Sequence, residues 1–175
     1  TKMGNEEVFR LWGARHLIEA GDPEQAAVLL TPISERPVLT PGVAIALSRF
    51  ERMRGRSLQA FELLQKTEPV PEVLLEKALM SSQIGASPEA AKRDVQEALD
   101  AGGEGAVIML SDDPGSKVYF DGTLLGSPPL GIFPPSGQHE VRVVYQPKPV
   151  LVTRFDVPAS GMLLLRSGNR TGTEV

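Results

Sequence analysis

Leu99-Asp100-Ala101-Gly102-Gly103-Glu104-Gly105-Ala106-Val107-Ile108-Met109-Leu110 is where the chain changes character. Up to Ala101 the sequence is dominated by Ala, Leu, Glu, Gln and Arg, the residues that lose least on entering a helix. From Ala106 onward it turns to Val, Tyr, Phe, Gly and Pro, the vocabulary of short strands and turns. Gly102, Gly103 and Gly105 stop a helix and free the backbone, so residues 102–105 read as a glycine-rich linker between two domains. The predicted organisation is a helical part over 1–101, the linker, a β part over 106–167 and a flexible tail over 168–175.

Working back from the junction, the helical part is punctuated at regular intervals. Asn5 opens a helix that Gly21 closes after Ala20. Asp22-Pro23 restarts one, with the Asp as N-cap and the Pro in the first turn, where a missing N–H costs nothing. Thr40-Pro41 repeats that signal for a helix to about Arg54, before Gly55. Ser57 opens a fourth helix to about Lys66. Pro69 and Pro71 separate it from a fifth over Glu72–Ile84, and Ser87-Pro88-Glu89 starts the sixth. Six helices with short connections make three antiparallel hairpins.

The hairpins repeat. Gly21 and Gly55 lie 34 residues apart, as do Ala26 and Ala60, and Ala14 and Ser48 supply matching small surfaces at the same interval. The third unit is looser, with Gly85 and Ala91 six apart. This period resembles the tetratricopeptide repeat. The characteristic start of that repeat is incomplete: Trp12 stands two residues past its register and Leu17 replaces a tyrosine. A generic array of α-hairpins is the other reading.

Working forward, strands are expected at Ala106–Ser111, Lys117–Asp121, Leu130–Phe133, His139–Tyr145, Val150–Val157 and Met162–Arg166. Glu140-Val141-Arg142-Val143 alternates as a strand with one wet face does. Asp121-Gly122 and Ser136-Gly137 are turn signals. Three ordered motifs, Val118-Tyr119-Phe120-Asp121-Gly122, then Leu125-Gly126-Ser127-Pro128-Pro129-Leu130, then Gly137-Gln138-His139-Glu140-Val141-Arg142-Val143, resemble a PEGA domain. Departures fall in loops: Pro114-Gly115-Ser116 replaces the eponymous tetrapeptide, a proline is added after Ser127, and Gln146-Pro147-Lys148-Pro149 replaces a glycine-aromatic turn. The resemblance implies a small β-sandwich without catalytic residues, found mostly on bacterial surface and envelope proteins. The expected fold class is thus α then β: a tetratricopeptide-like hairpin array followed by a PEGA-like β-sandwich.

Composition narrows the function. With 22 Asp plus Glu against 18 Lys plus Arg, the chain lacks the basic surplus of a nucleic-acid binder. It has no cysteine, which excludes disulfides and thiolate metal sites. No stretch nears the roughly 18 apolar residues of a membrane span, and no signal peptide is read. His16 and His139 have no partner at metal-ligand spacing. Asp112-Asp113, followed by Pro114-Gly115, reads as a turn before it reads as a calcium loop. Asp121 is expected to bond its own turn backbone, and Asp156 is isolated. No catalytic, cofactor or metal residues are assigned, and a non-enzymatic role is expected.

What remains is binding. Stacked hairpins present their first helices along one face. That face predicts a partner groove lined by Leu11, Trp12, Arg15 and Ile18 from the first unit, Ile45, Arg49, Arg52 and Met53 from the second, and Leu75, Glu76, Leu79 and Gln83 from the third. Trp12 is either an interface anchor or part of the first hairpin's core. Arg15, Arg49 and Arg52 either meet an acidic segment or form a solvated face. Glu72 and Glu76 exclude a clamp for a C-terminal carboxylate. The leading expectation is a protein–protein interaction scaffold of a bacterial envelope, surface or motility-type assembly. The alternatives are a rigid spacer, a cell-wall or carbohydrate-binding module, and a cytoplasmic signalling-output module.

Overall fold

The computed structural model describes residues 4–81, 83–85, 87–102, 105–111, 113, 115–145 and 150–167. Residues 1–3, 82, 86, 103, 104, 112, 114, 146–149 and 168–175 lie outside them, and with them part of the expected linker and the expected tail. Six helices come first: α1 (Asn5–Glu19), α2 (Pro23–Ser34), α3 (Pro41–Met53), α4 (Ser57–Gln65), α5 (Pro71–Ser81) and α6 (Pro88–Gly102). Seven strands follow: β1 (Ala106–Ser111), β2 (Lys117–Phe120), β3 (Thr123–Gly126), β4 (Leu130–Ile132), β5 (Gly137–Val144), β6 (Val150–Val157) and β7 (Met162–Ser167). The chain forms two compact units, which divide after Pro69.

In the first unit, local signals set the helix ends. The Gln25 N–H donates to Asp22 Oδ1 at 3.1 Å, so Asp22 is an N-cap with Pro23 in the first turn. α1 begins one residue earlier than its signal suggested, with Gly4 as cap and its N–H bonded to Glu7 Oε2 at 2.9 Å. Gly21 and Gly55 both close helices with positive φ, +86° and +74°. α1 pairs with α2 and α3 with α4, and buried small residues allow the close approach: Ala14, Ala26, Val43, Ala44, Ser48 and Ala60. A Cβ at Gly13 would stand 2.9 Å from the Leu29 side chain, so α2 presses on α1 where no side chain intervenes. Polar ties link the hairpins. Arg54 donates to Glu24 Oε1 at 3.2 Å and Lys66 Nζ to the Ser34 carbonyl at 2.8 Å, while Arg36 pairs with Glu7 within the first hairpin.

The second unit joins α5 and α6 to both sheets. One sheet has the order β4-β1-β7, antiparallel between β4 and β1 and parallel between β1 and β7. The other has the order β3-β2-β5-β6, antiparallel throughout. Val107, Met109, Leu130 and Leu165 of the first sheet share one core with Val118, Val141, Val143 and Val157 of the second. The far face of the three-stranded sheet is covered by the α5–α6 hairpin, through Leu75 and Ala98 against Ile108, with Leu74, Leu79, Val95, Leu110 and Phe133 around them.

The division into compact units does not coincide with the glycine-rich stretch. Composition changes at 102–105, but the compact units divide between Pro69 and Val70 because the third hairpin is a layer of the β unit. The two ends of the expected linker are tightly placed. A Cβ at Gly102 would lie 2.5 Å from the Phe133 ring, and one at Gly105 would lie 2.1 Å from the Pro158 carbonyl oxygen. Glycine is needed there for close approach, not for looseness. One strand was missed. β3 is only four residues long and follows the two-residue Asp121-Gly122 turn, so its Thr-Leu-Leu-Gly reads as a loop.

Candidate functional site

The expected groove residues fall into different environments. Leu11, Arg15, Ile18, Ile45 and Met53 are half-buried, and Trp12 is exposed with its ring edge-on to His16 at 4.2 Å. Arg49 and Arg52 are buried, so neither is the solvated basic surface that was one of the two readings of them. Burial of an arginine requires that its donors be met by the protein, which removes it from the surface offered to a partner. Leu75 and Glu76 are fully buried. Gly131 explains Leu75: a Cβ there would lie 2.6 Å from Leu75 Cδ2 and 2.9 Å from Leu79 Cδ1. α5 has spent its apolar stripe on strand β4. Of the expected lining, Arg49, Arg52, Leu75 and Glu76 are therefore not exposed. Gln83 is exposed.

A second constellation lies on the β unit and rises from the motifs themselves. Asp121 and Gly122 both have positive φ, +46° and +79°, and join β2 to β3 with Phe120 opposite Thr123. This is the geometry of a primed hairpin turn, and Asp and Gly are residues that accept it. The turn then reaches a neighbouring strand instead of folding back on itself. Asp121 Oδ1 accepts the Glu140 N–H at 2.9 Å, and the Asp121 N–H donates to the Glu140 carbonyl at 2.9 Å. Oδ2 meets His139 Nδ1 at 2.7 Å, and His139 Nε2 meets the Pro135 carbonyl at 2.9 Å. The imidazole stacks on Phe120 with centroids 4.9 Å apart, and Phe120 contacts Phe155 edge-on at 6.3 Å.

The protonation state follows from the partners. A carbonyl oxygen only accepts, and an ionised carboxylate only accepts, so the imidazolium, with both ring nitrogens donating, is the form that satisfies both contacts. The hydrogen bond to Asp121 raises His139 above its ordinary value; burial opposes this, and the Pro135 carbonyl reinforces it. The Glu140 N–H, then the imidazolium, hold the Asp121 carboxyl below its own. With Nε2 committed to a backbone carbonyl, the ring has no free nitrogen to act as a base. The arrangement is a staple joining the β2–β3 turn, strand β5 and the Pro135 loop.

Residues 104–147 match the family model of the PEGA domain. Asp121-Gly122, Gly137 and His139 of the ordered motifs all lie within that span, and the staple is built from them. β6 and β7 lie beyond it, yet both contribute to the shared core. Neither the curated proteins nor the solved structures include a match to the chain. No helix among the described residues is long and apolar enough to cross a membrane.

The four-stranded sheet has an outer face that sequence reasoning did not single out. Alternation turns Val118, Val141, Val143 and Leu151 inward, and so turns Tyr119, Arg142, Val144, Val150 and Val152 outward. Register aligns Tyr119, Arg142 and Val152 in one cross-strand row and Lys117, Val144 and Val150 in the next. The Arg142 guanidinium lies 4.2 Å over the Tyr119 ring. Farther along, Arg154 Nε bonds Glu140 Oε2 at 3.0 Å. The alternation of Val150 and Val152 was visible in the sequence, but which of the two faces the hairpin would cover was not.

Proposed function

We propose that this chain is a non-catalytic protein–protein interaction scaffold, in which tetratricopeptide-like hairpins carry a PEGA-type β-sandwich as a docking module of a bacterial envelope, surface or motility-type assembly. The observation that carries this reading is the unequal covering of the two sheets. The three-stranded sheet has its outer face filled by α5 and α6, whereas the four-stranded sheet keeps an outer face with Val150 and Val152 exposed beside the Arg142–Tyr119 stack. Apolar side chains next to an arginine–aromatic pair are the composition of an interface core. On the helical side, Leu11, Arg15 and Ile45 remain available as groove lining.

The test is capture of the native partner by the full protein and by Arg142→Glu combined with Val152→Glu. Both positions face outward, so the fold should survive by circular dichroism while capture is lost. Undiminished capture would remove the sheet face from the proposal. The rigid-spacer reading is favoured by the hairpin built into the β unit; it predicts no captured partner and no effect of that double variant. Glycan binding has less support. Phe120, Tyr145 and Phe155 pack against the shared core, Phe133 packs against the hairpin, and Tyr119 lies under Arg142.

A further inference from the structure

Translating the first hairpin by 34 residues onto the second superposes like on like. Gly21 and Gly55 share positive φ, Ala26 and Ala60 are both buried, as are Leu30 and Leu64, and Ala14 and Ser48. One stripe breaks the correspondence. On α3, Val43 and Phe50 are 0% and 3% exposed, with Ala46 half-buried between them. Their counterparts on α1 are Phe9, His16 and Trp12; Phe9 is 72% and Trp12 60% exposed, and Val8 beside them is also exposed. α1 is thus apolar on two opposite faces, one buried through Ala14 and one open. The open face is an apolar stripe that no element among the described residues covers.

The α3 stripe shows what the α1 stripe lacks. Arg54 stacks on Phe50 at 5.4 Å and bonds Glu24 of α2, so this side of α3 looks toward the preceding hairpin. We propose that the outer face of α1 is a stacking face, covered by one further antiparallel hairpin of the same 34-residue kind, joined to the chain ahead of α1. Two considerations select this occupant. The first is continuity, because the face continues the contact that α1–α2 makes with α3. The second is size. Phe and Trp bury about 150–250 Å² each, which falls short of the roughly 800 Å² per partner in a stable bimolecular interface. A covering hairpin held only by this stripe must be tethered. The inference is independent of docking on the four-stranded sheet.

Trp12 is the only tryptophan, which makes it the reporter. A second copy of residues 5–38 is joined in register ahead of Asn5 of the full chain, with Trp12→Phe in the added copy. Helical signal should rise, emission of the original Trp12 should shift to the blue, and its quenching by acrylamide should fall several-fold. Phe9→Asp in the original hairpin should cancel the shift in the extended chain, while leaving the unextended chain's dichroism and its capture of any sheet-docked partner unchanged. Trp12 as quenchable as before, or no gain in helix, overturns the proposal. So does an equal blue shift on adding the free 5–38 peptide at micromolar concentration, which would make the tether unnecessary. A dimer of the unextended chain that Phe9→Asp dissolves would name a second copy as the occupant and overturn it likewise.

Discussion

His139 is held by two acceptors that cannot donate, and this ties its charge to the architecture around it. Its value is raised in the folded state, so the staple contributes stability that is fully present below the ordinary histidine value of 6.5 and is lost as pH rises through the raised one. Asp121 has the opposite sign: its value is lowered from 3.8, so its contribution is present above that value and lost as pH falls through the lowered one. The staple is therefore complete in mildly acidic solution and weakens toward alkaline pH. The other charged groups on these strands are Glu140 and Arg142 of β5 itself, Lys117 of β2, and Arg154 and Asp156 of β6, and Glu140 is already paired with Arg154. An NMR titration should place the His139 midpoint above 6.5, and Asp121→Asn should bring it down. An unchanged midpoint in Asp121→Asn would show that the carboxylate does not govern the ring. His139→Gln should flatten the alkaline loss of melting temperature relative to the parent chain. Half of this site was legible in the sequence. The motifs marked Asp121 and His139 as structural, but local turn chemistry assigned Asp121 to its own backbone, because a partner 18 residues away is set by strand register.

At the scale of the element, strand β4 is a short stretch whose middle residue decides how a helix sits on it. Gly131 lets Leu75 and Leu79 of α5 reach the backbone. Gly131→Ala should destabilise by about 1–3 kcal/mol, the usual cost of an overpacked contact, as read by urea unfolding. Leu75→Ala alone should cost about 2–5 kcal/mol. The double variant should lose less than the sum of the two, since the smaller side chain makes room for the methyl group; strict additivity would show that the two residues do not meet. A glycine inside a strand is a known mark of close backbone approach, so this contact had a sequence signal. What approached was not readable, because a helix 50 or more positions earlier leaves no local trace in Leu130-Gly131-Ile132. Helix starts and stops were readable to within a few residues. Asp22, Ser87, Gly21 and Gly55 act through bonds and dihedral angles of their own turns.

At the scale of the whole molecule, the division after Pro69 has a direct consequence. A fragment spanning 70–167 contains the hairpin, both sheets and the shared core, and is expected to fold cooperatively. A fragment spanning 106–167 exposes Ile108, Leu110 and Phe133 on the uncovered three-stranded sheet, and is expected to bind a hydrophobic dye or aggregate. Equal stability of the two fragments would return the boundary to the glycines. Helix content in the first part, strand content in the second, their order, and the repeat in the first two hairpins were all settled by local pattern. Those properties depend on backbone preference and on the period of apolar residues, which neighbours in the chain suffice to specify. The assignment of the third hairpin to the β unit, the burial of Arg49, Arg52, Leu75 and Glu76, and the choice of which sheet face stays open came from packing alone. Each depends on which apolar surface meets which across long sequence separations, and a stripe of leucines reads the same whether it will line a groove or cover a sheet.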